Sequence, residues 1–114
     1  METQTRIVNT VQVVEFQGRL DAHQGKQVDK KLSEIPPTLP QTGVKTVVNL
    51  SKVHFIDSTG LSILVKGMKH RREQNGDLVL CELQQPVRII FELTRLDRMF
   101  QIFATENEAI QALQ

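Results

Sequence analysis

The sequence has neither tryptophan nor tyrosine, and five phenylalanines supply all of its aromatic rings. Platforms that stack single-stranded nucleic acid or sugars need such rings in clusters, so those ligand classes are disfavoured. Cysteine is nearly absent too. Cys81 stands alone, which rules out an intramolecular disulfide, and its place in the apolar stretch Leu78 to Leu83 reads as a buried thiol. The cytosol is the natural compartment for such a chain. No run approaches the roughly 20 apolar residues that span a bilayer, and the polar start from Met1 to Arg6 lacks the apolar core of an export signal. An excess of charge of one sign is also missing. Fourteen basic residues against thirteen acidic ones leave a formal charge of +1, too balanced to make nucleic acid or an anionic membrane the main partner.

What is present suits one compact domain over residues 1–114. The length is too short for a catalytic domain with a separate substrate domain, and 39% hydrophobic with 24% charged residues is an ordinary globular balance. β-branched residues from Arg6 to Val8 and from Val11 to Phe16 flank Asn9-Thr10, the pattern of a short hairpin. Gly18 is expected to break the second strand, and Asp21 then to cap a helix reaching about Ile35, where Val28, Leu32 and Ile35 repeat at helical spacing. Pro36 to Gly43 reads as a loop. Val44 to Leu50 reads as a central strand, and a helix from Ser58 to about Gln74 carries Leu61, Leu64, Val65 and Met68 as its core stripe. Asn75-Gly76 ends it. Leu78 to Leu83 forms another strand, and Pro86 opens a helix whose inner face holds Val87, Ile90 and Phe91, widened by Ile89 and Leu93. Phe100 to Phe103 gives a last short strand, and Ala109, Ile110 and Leu113 a final helix. The order predicts an α/β domain with a mixed sheet of four to five strands and helices packed on it.

The stretch Val53 to Val65, VHFIDSTGLSILV, carries the chemistry. It runs from apolar residues through Asp-Ser-Thr-Gly into an amphipathic helix, placing hydroxyls at a helix N-terminus. There the first N–H groups lack intrahelical partners and the dipole is positive, so a phosphate on Ser58 would be favoured by roughly 0.3–2 kcal/mol. The same residues, Asp57 or Ser58, also serve as a plain N-cap. FIDSTGL resembles the signature of the STAS family, the domain shared by sulfate transporters and anti-sigma factor antagonists. The turn FQGRLD, Phe16 to Asp21, resembles the family's Gly-x-Leu-Asp turn, and Val79 to Phe91 resembles its strand followed by a Pro-Val-containing helix. Nearly the whole chain is covered.

The resemblance implies a free-standing antagonist that switches partners. Ser58, directly after the motif aspartate, would be the phosphorylation site, with Thr59 where a second serine often stands. The partners implied are an anti-sigma factor with serine kinase activity and an opposing serine phosphatase, with no cofactor, no direct nucleic-acid contact and no membrane contact. Arg19 departs from the acidic residue often found there, which bears on the partner's identity. Asp21 either caps the next helix or joins the partner surface, and Asp57 supports the Ser58 loop. Helical phase sets Thr59, Ser62, Ile63, Lys66 and His70 opposite the core stripe, leaving Ile63 partly exposed as a candidate contact. Lys66, Lys69, Arg71 and Arg72 read as a solvated charge run. His23, His54 and His70 lack metal-ligand spacing. Two other readings compete: a receiver-like domain with a phosphoaspartate at Asp57, and a small enzyme using Asp21 and Asp57 for metal-assisted phosphoryl transfer.

Overall fold

The computed structural model describes residues 2–114. Its five strands are β1 (Glu2–Val8), β2 (Val11–Leu20), β3 (Lys45–Ile56), β4 (Asp77–Cys81) and β5 (Ile102–Phe103). They lie in one sheet in the order of the sequence, with β1 and β2 antiparallel and the remaining neighbours parallel. The helices are α1 (Gly25–Ser33), α2 (Ser58–Glu73), α3 (Gln85–Leu93) and α4 (Glu106–Leu113). Each parallel step needs a crossover, and α1, α2 and α3 supply them. The mixed α/β sheet expected from the sequence is what forms.

Alternation along the strands divides the core in two. Val14, Phe16, Val48, Leu50, Leu78 and Leu80 face α1, α2 and α3, whereas Val11, Val13, Val47, Val79 and Cys81 face α4. Such strands, buried on both faces, carry the near-continuous apolar runs seen in the sequence. Burial pushes the Cys81 thiol up to about 12, so it remains a neutral thiol.

Several local expectations change. Gly18 does not end β2; at φ +105 it bends the strand, which continues to Leu20. β3 continues past Leu50 to Ile56, with register shifts against β2 at Glu15/Gln17 and Gly18/Arg19. The extra residues of these bulges twist the end of β3 and deliver Asp57 beside the turn after β2. Helix α1 starts only at Gly25, with Gln24 at its N-cap, so Asp21 does not cap it. Asp21 instead accepts the Gln24 N–H within the preceding turn, at 3.2 Å.

Ile89 and Leu93 do not widen the inner face of α3. They are 41% and 75% exposed, while Val87 and Phe91 are fully buried and Phe91 meets Phe100 edge to face at 5.8 Å. Arg71 does not belong to a solvated run either, being 3% exposed. Its guanidinium donates to Thr46 Oγ1 at 2.7 Å, to Gln12 Oε1 at 3.3 Å and to the carbonyls of Leu32 at 2.7 Å and Gly67 at 3.3 Å. The side chain thereby ties the C-terminal end of α1 to α2 and to the two central strands.

The phase of α3 gives a direct test. Phe91→Ala should destabilise the domain by about 3–5 kcal/mol, as buried aromatic truncations do, whereas Leu93→Ala should stay within about 0.5 kcal/mol of the wild type. Urea denaturation of both variants measures the difference, and equal losses would mean that the helix is rotated from the orientation described.

Candidate functional site

The C-terminal end of the β2–β3 pair builds the site. The Asp57 N–H donates to the Leu20 carbonyl at 3.2 Å, extending the strand pairing by one residue. Asp57 is extended, with φ −115 and ψ −173, and is the N-cap of α2. Its Oδ1 accepts the Gly60 N–H at 3.1 Å and its Oδ2 accepts the Ala22 N–H at 3.0 Å. One carboxylate thus satisfies an otherwise unpaired donor of α2 and clamps the turn after β2 against that helix.

Ser58 is the first residue of α2 and is exposed. Its hydroxyl makes no hydrogen bond among the described residues, nor do the backbone amides of Ser58 and Thr59. Asp57 has taken the capping role, so the serine oxygen is free. Beside it lies an open depression of about 300 Å³ lined by Asp29, Ser58, Thr59, Ser62, Ile63 and Lys66. Five of the residues singled out in the sequence therefore share one surface. Ser62 and Lys66 are exposed, while Thr59 and Ile63 are half-buried because they turn toward α1. Gly25 makes that approach possible: a Cβ there would stand 3.1 Å from the Thr59 methyl carbon and 3.7 Å from Ile63 Cδ1.

Asp21 stands apart from the depression but is joined to it through the turn that Asp57 holds. Its Oδ2 accepts from Arg19 Nε at 3.0 Å, and this hydrogen bond holds the carboxyl below the usual carboxylate range. The Arg19 guanidinium lies 4.0 Å from the centroid of the Phe55 ring, a cation–π contact. Sequence reasoning missed Phe55, whose position depends on the bulges, and Asp29. Asp29 pairs with Lys66 at 3.1 Å across α1 and α2, an ion pair 37 residues apart in sequence that no local pattern signals. Among the described residues no group of three or more histidine, cysteine, aspartate or glutamate side chains is placed to hold a metal ion.

This geometry is an accessible serine at a helix start capped by its neighbouring aspartate, on a parallel sheet with one antiparallel edge strand. The STAS domain family model matches residues 2–109, and the chain belongs to that family. It is similar to the anti-sigma-B factor antagonist of Listeria monocytogenes, with 30% identity over 91 residues that cover 80% of this chain and 77% of that one. Its fold also matches the anti-sigma factor antagonist SpoIIAA in its unphosphorylated form, with a TM-score of 0.78 and 26% identity, covering 97% of this chain and 95% of that one. The Bacillus cell fate determinant SpoIIAA in its phosphorylated form matches with a TM-score of 0.72 and 25% identity, covering 99% and 100%. No helix among the described residues is long and apolar enough to cross a membrane.

Gly60 offers a test of how the site is assembled. A Cβ at this position would overlap the Leu20 carbonyl oxygen and press on Ile56 Cγ1 at 2.9 Å. Gly60→Ala should therefore destabilise the domain by about 1–3 kcal/mol, the usual range for overpacking, and shift the amide signals of Leu20 to Ala22. A variant with wild-type stability and spectrum would show that the two loops are not in such close contact.

Proposed function

We propose that the chain, acting through one STAS domain over residues 1–114, is a cytoplasmic phospho-switch and not an enzyme. Its unphosphorylated form binds an anti-sigma factor with serine kinase activity and so releases the sigma factor. Phosphate on Ser58 turns that binding off, and a serine phosphatase restores it. The observation that carries this reading is the exposed, unbonded Ser58 hydroxyl on a helix end capped by Asp57, next to two free backbone amides. The existence of the similar SpoIIAA in unphosphorylated and phosphorylated forms supports it. A receiver-like role for Asp57 is less suited to the geometry, because both carboxylate oxygens already hold backbone amides.

The partner surface comprises Ser62, Ile63 and Lys66 around Ser58 and Thr59, with Asp57 and the Asp21 turn at its edge. Phosphate brings roughly −1.5 to −2 charges and three acceptor oxygens, which the helix N-terminus tolerates. The neighbouring cations are engaged, Lys66 with Asp29 and Arg19 with Asp21. A phosphate on Ser58 therefore stays at the surface and meets the docked partner directly. Burying it against an interface without a matching cation costs on the order of 2–5 kcal/mol, about 30-fold to several-thousand-fold in affinity.

Incubation with the cognate kinase and ATP should label the wild type and leave Ser58→Ala unlabelled, while Ser58→Ala keeps the partner affinity of the unphosphorylated protein. The phosphorylated wild type should show nearly unchanged backbone amide spectra outside Asp57 to Lys66 and the Asp21 turn. Equal labelling of the variant sinks the assignment of the serine. Spectral change throughout the sheet would replace interference with a conformational mechanism.

A further inference from the structure

Ser58 occupies only the first turn of α2. Farther along the helix, an open groove of about 750 Å³ runs between α1 and the 3-10 turn Leu96–Arg98. Leu32, Leu61, Val65 and Leu96 form its apolar part. The α2 residues that line it extend from Leu61 to Glu73, which at 1.5 Å per residue is a length of about 18 Å, or three helical turns. An open trough of that length suits a helix lying along it better than a compact ligand.

The charges are unequal in their availability. Lys66 is neutralised by Asp29, but Lys69 is exposed and takes part in no ion pair among the described residues. Arg71 also lines the groove, and every group it donates to is a neutral oxygen. Burial lowers its pKa to about 10, so it remains charged at neutral pH. Its charge has no ion-pair partner among the described residues. Glu73 offsets one charge at the far end, and the lining as a whole carries Lys66, Lys69 and Arg71 against Asp29 and Glu73.

We propose that this groove seats an acidic amphipathic helix of a partner protein, its apolar stripe on Leu61, Val65 and Leu96 and its carboxylates over the exposed Lys69, with the buried Arg71 charge behind it. The mode is that of a helix laid in an apolar groove, with charge selecting the partner. The proposal rests on the reading of the chain as a partner-binding module and adds the chemistry of the segment bound. It does not depend on phosphate at Ser58.

The test is a titration of the isotopically labelled full chain with synthetic 18-residue peptides. One is an amphipathic helix with a leucine stripe flanked by glutamates, one has lysines in place of the glutamates, and one is a scrambled acidic control. The acidic helix should shift the amides of Leu61 to Glu73, Asp29 to Ser33 and Leu96 saturably, binding about tenfold or more tightly than the lysine peptide. Lys69→Glu should weaken it by a similar factor with an unchanged melting temperature. Equal binding of the acidic and basic helices, equal binding of the scrambled control, or shifts mapping elsewhere overturns the proposal. So does saturation of the same amides by monomeric dodecanoate when the peptide has no effect, since the groove would then take a small anionic amphiphile. Kinase labelling of Ser58 is read separately. Labelling without peptide binding removes the groove alone, and peptide binding without labelling removes the phospho-switch alone.

Discussion

The carboxylate of Asp57 joins two loops that are far apart in sequence. Its oxygens hold the amides of Gly60 and Ala22, while its own N–H reaches Leu20. Charge-assisted bonds of this kind are about twice as strong as neutral ones. The division of labour between neighbours follows from them. Were Ser58 the cap, its hydroxyl would be spent on a backbone amide, and a phosphate there would displace the bond that starts the helix. With the aspartate capping, the serine becomes the first helical residue, its hydroxyl makes no hydrogen bond among the described residues, and a group added to that oxygen leaves the capping bonds of Asp57 intact.

That arrangement requires the chain to approach itself closely, and the sheet provides the approach. Two bulges in β3 bring its end level with Leu20, and Gly60 admits the Leu20 carbonyl where any side chain would collide. The Asp-Ser-Thr-Gly segment thus combines a cap, a free hydroxyl, a methyl group against Gly25 and a position without a side chain. Each of the four residues meets a different steric or polar demand, so the segment is constrained beyond what capping alone asks.

Much of this was legible in the sequence, for identifiable reasons. The start of α2 at Ser58 and the Leu61, Leu64 and Met68 members of its stripe were read correctly because helical period and capping residues coincide there, whereas Val65 of the same stripe is only half-buried at the edge of the core. The ends of β2 and β3 were read short. Beyond Leu50, Ser51 is half-buried while Lys52 and His54 are exposed, and bulges destroy the two-residue period on which a strand is recognised. Ile89 and Leu93 show that apolar character does not dictate burial, since helical phase put them outside once Val87 and Phe91 had fixed the inner face. Arg71 was misread because the groups that satisfy it, Gln12 and Thr46, lie 59 and 25 residues away. The candidate role of Ser58 came from family resemblance, because a helix start by itself reads equally well as a cap.

Arg71 also decides how the domain can respond to a charge placed at Ser58. At one end, α1 and α2 are held by Gly25 against Thr59 and by Asp29 with Lys66; at the other, Arg71 grips the Leu32 carbonyl. Tilting α2 to relieve a new charge would pull the guanidinium from its four acceptors. Stripping a buried cation of its partners costs on the order of 3–5 kcal/mol, whereas an anion at a helix N-terminus gains about 0.3–2 kcal/mol by staying where it is. Both effects favour the same outcome, a fixed helix pair with an altered surface. A charge added at Ser58 would then alter the surface around it and leave the packing of the helix pair, held by the buried arginine network, as it is.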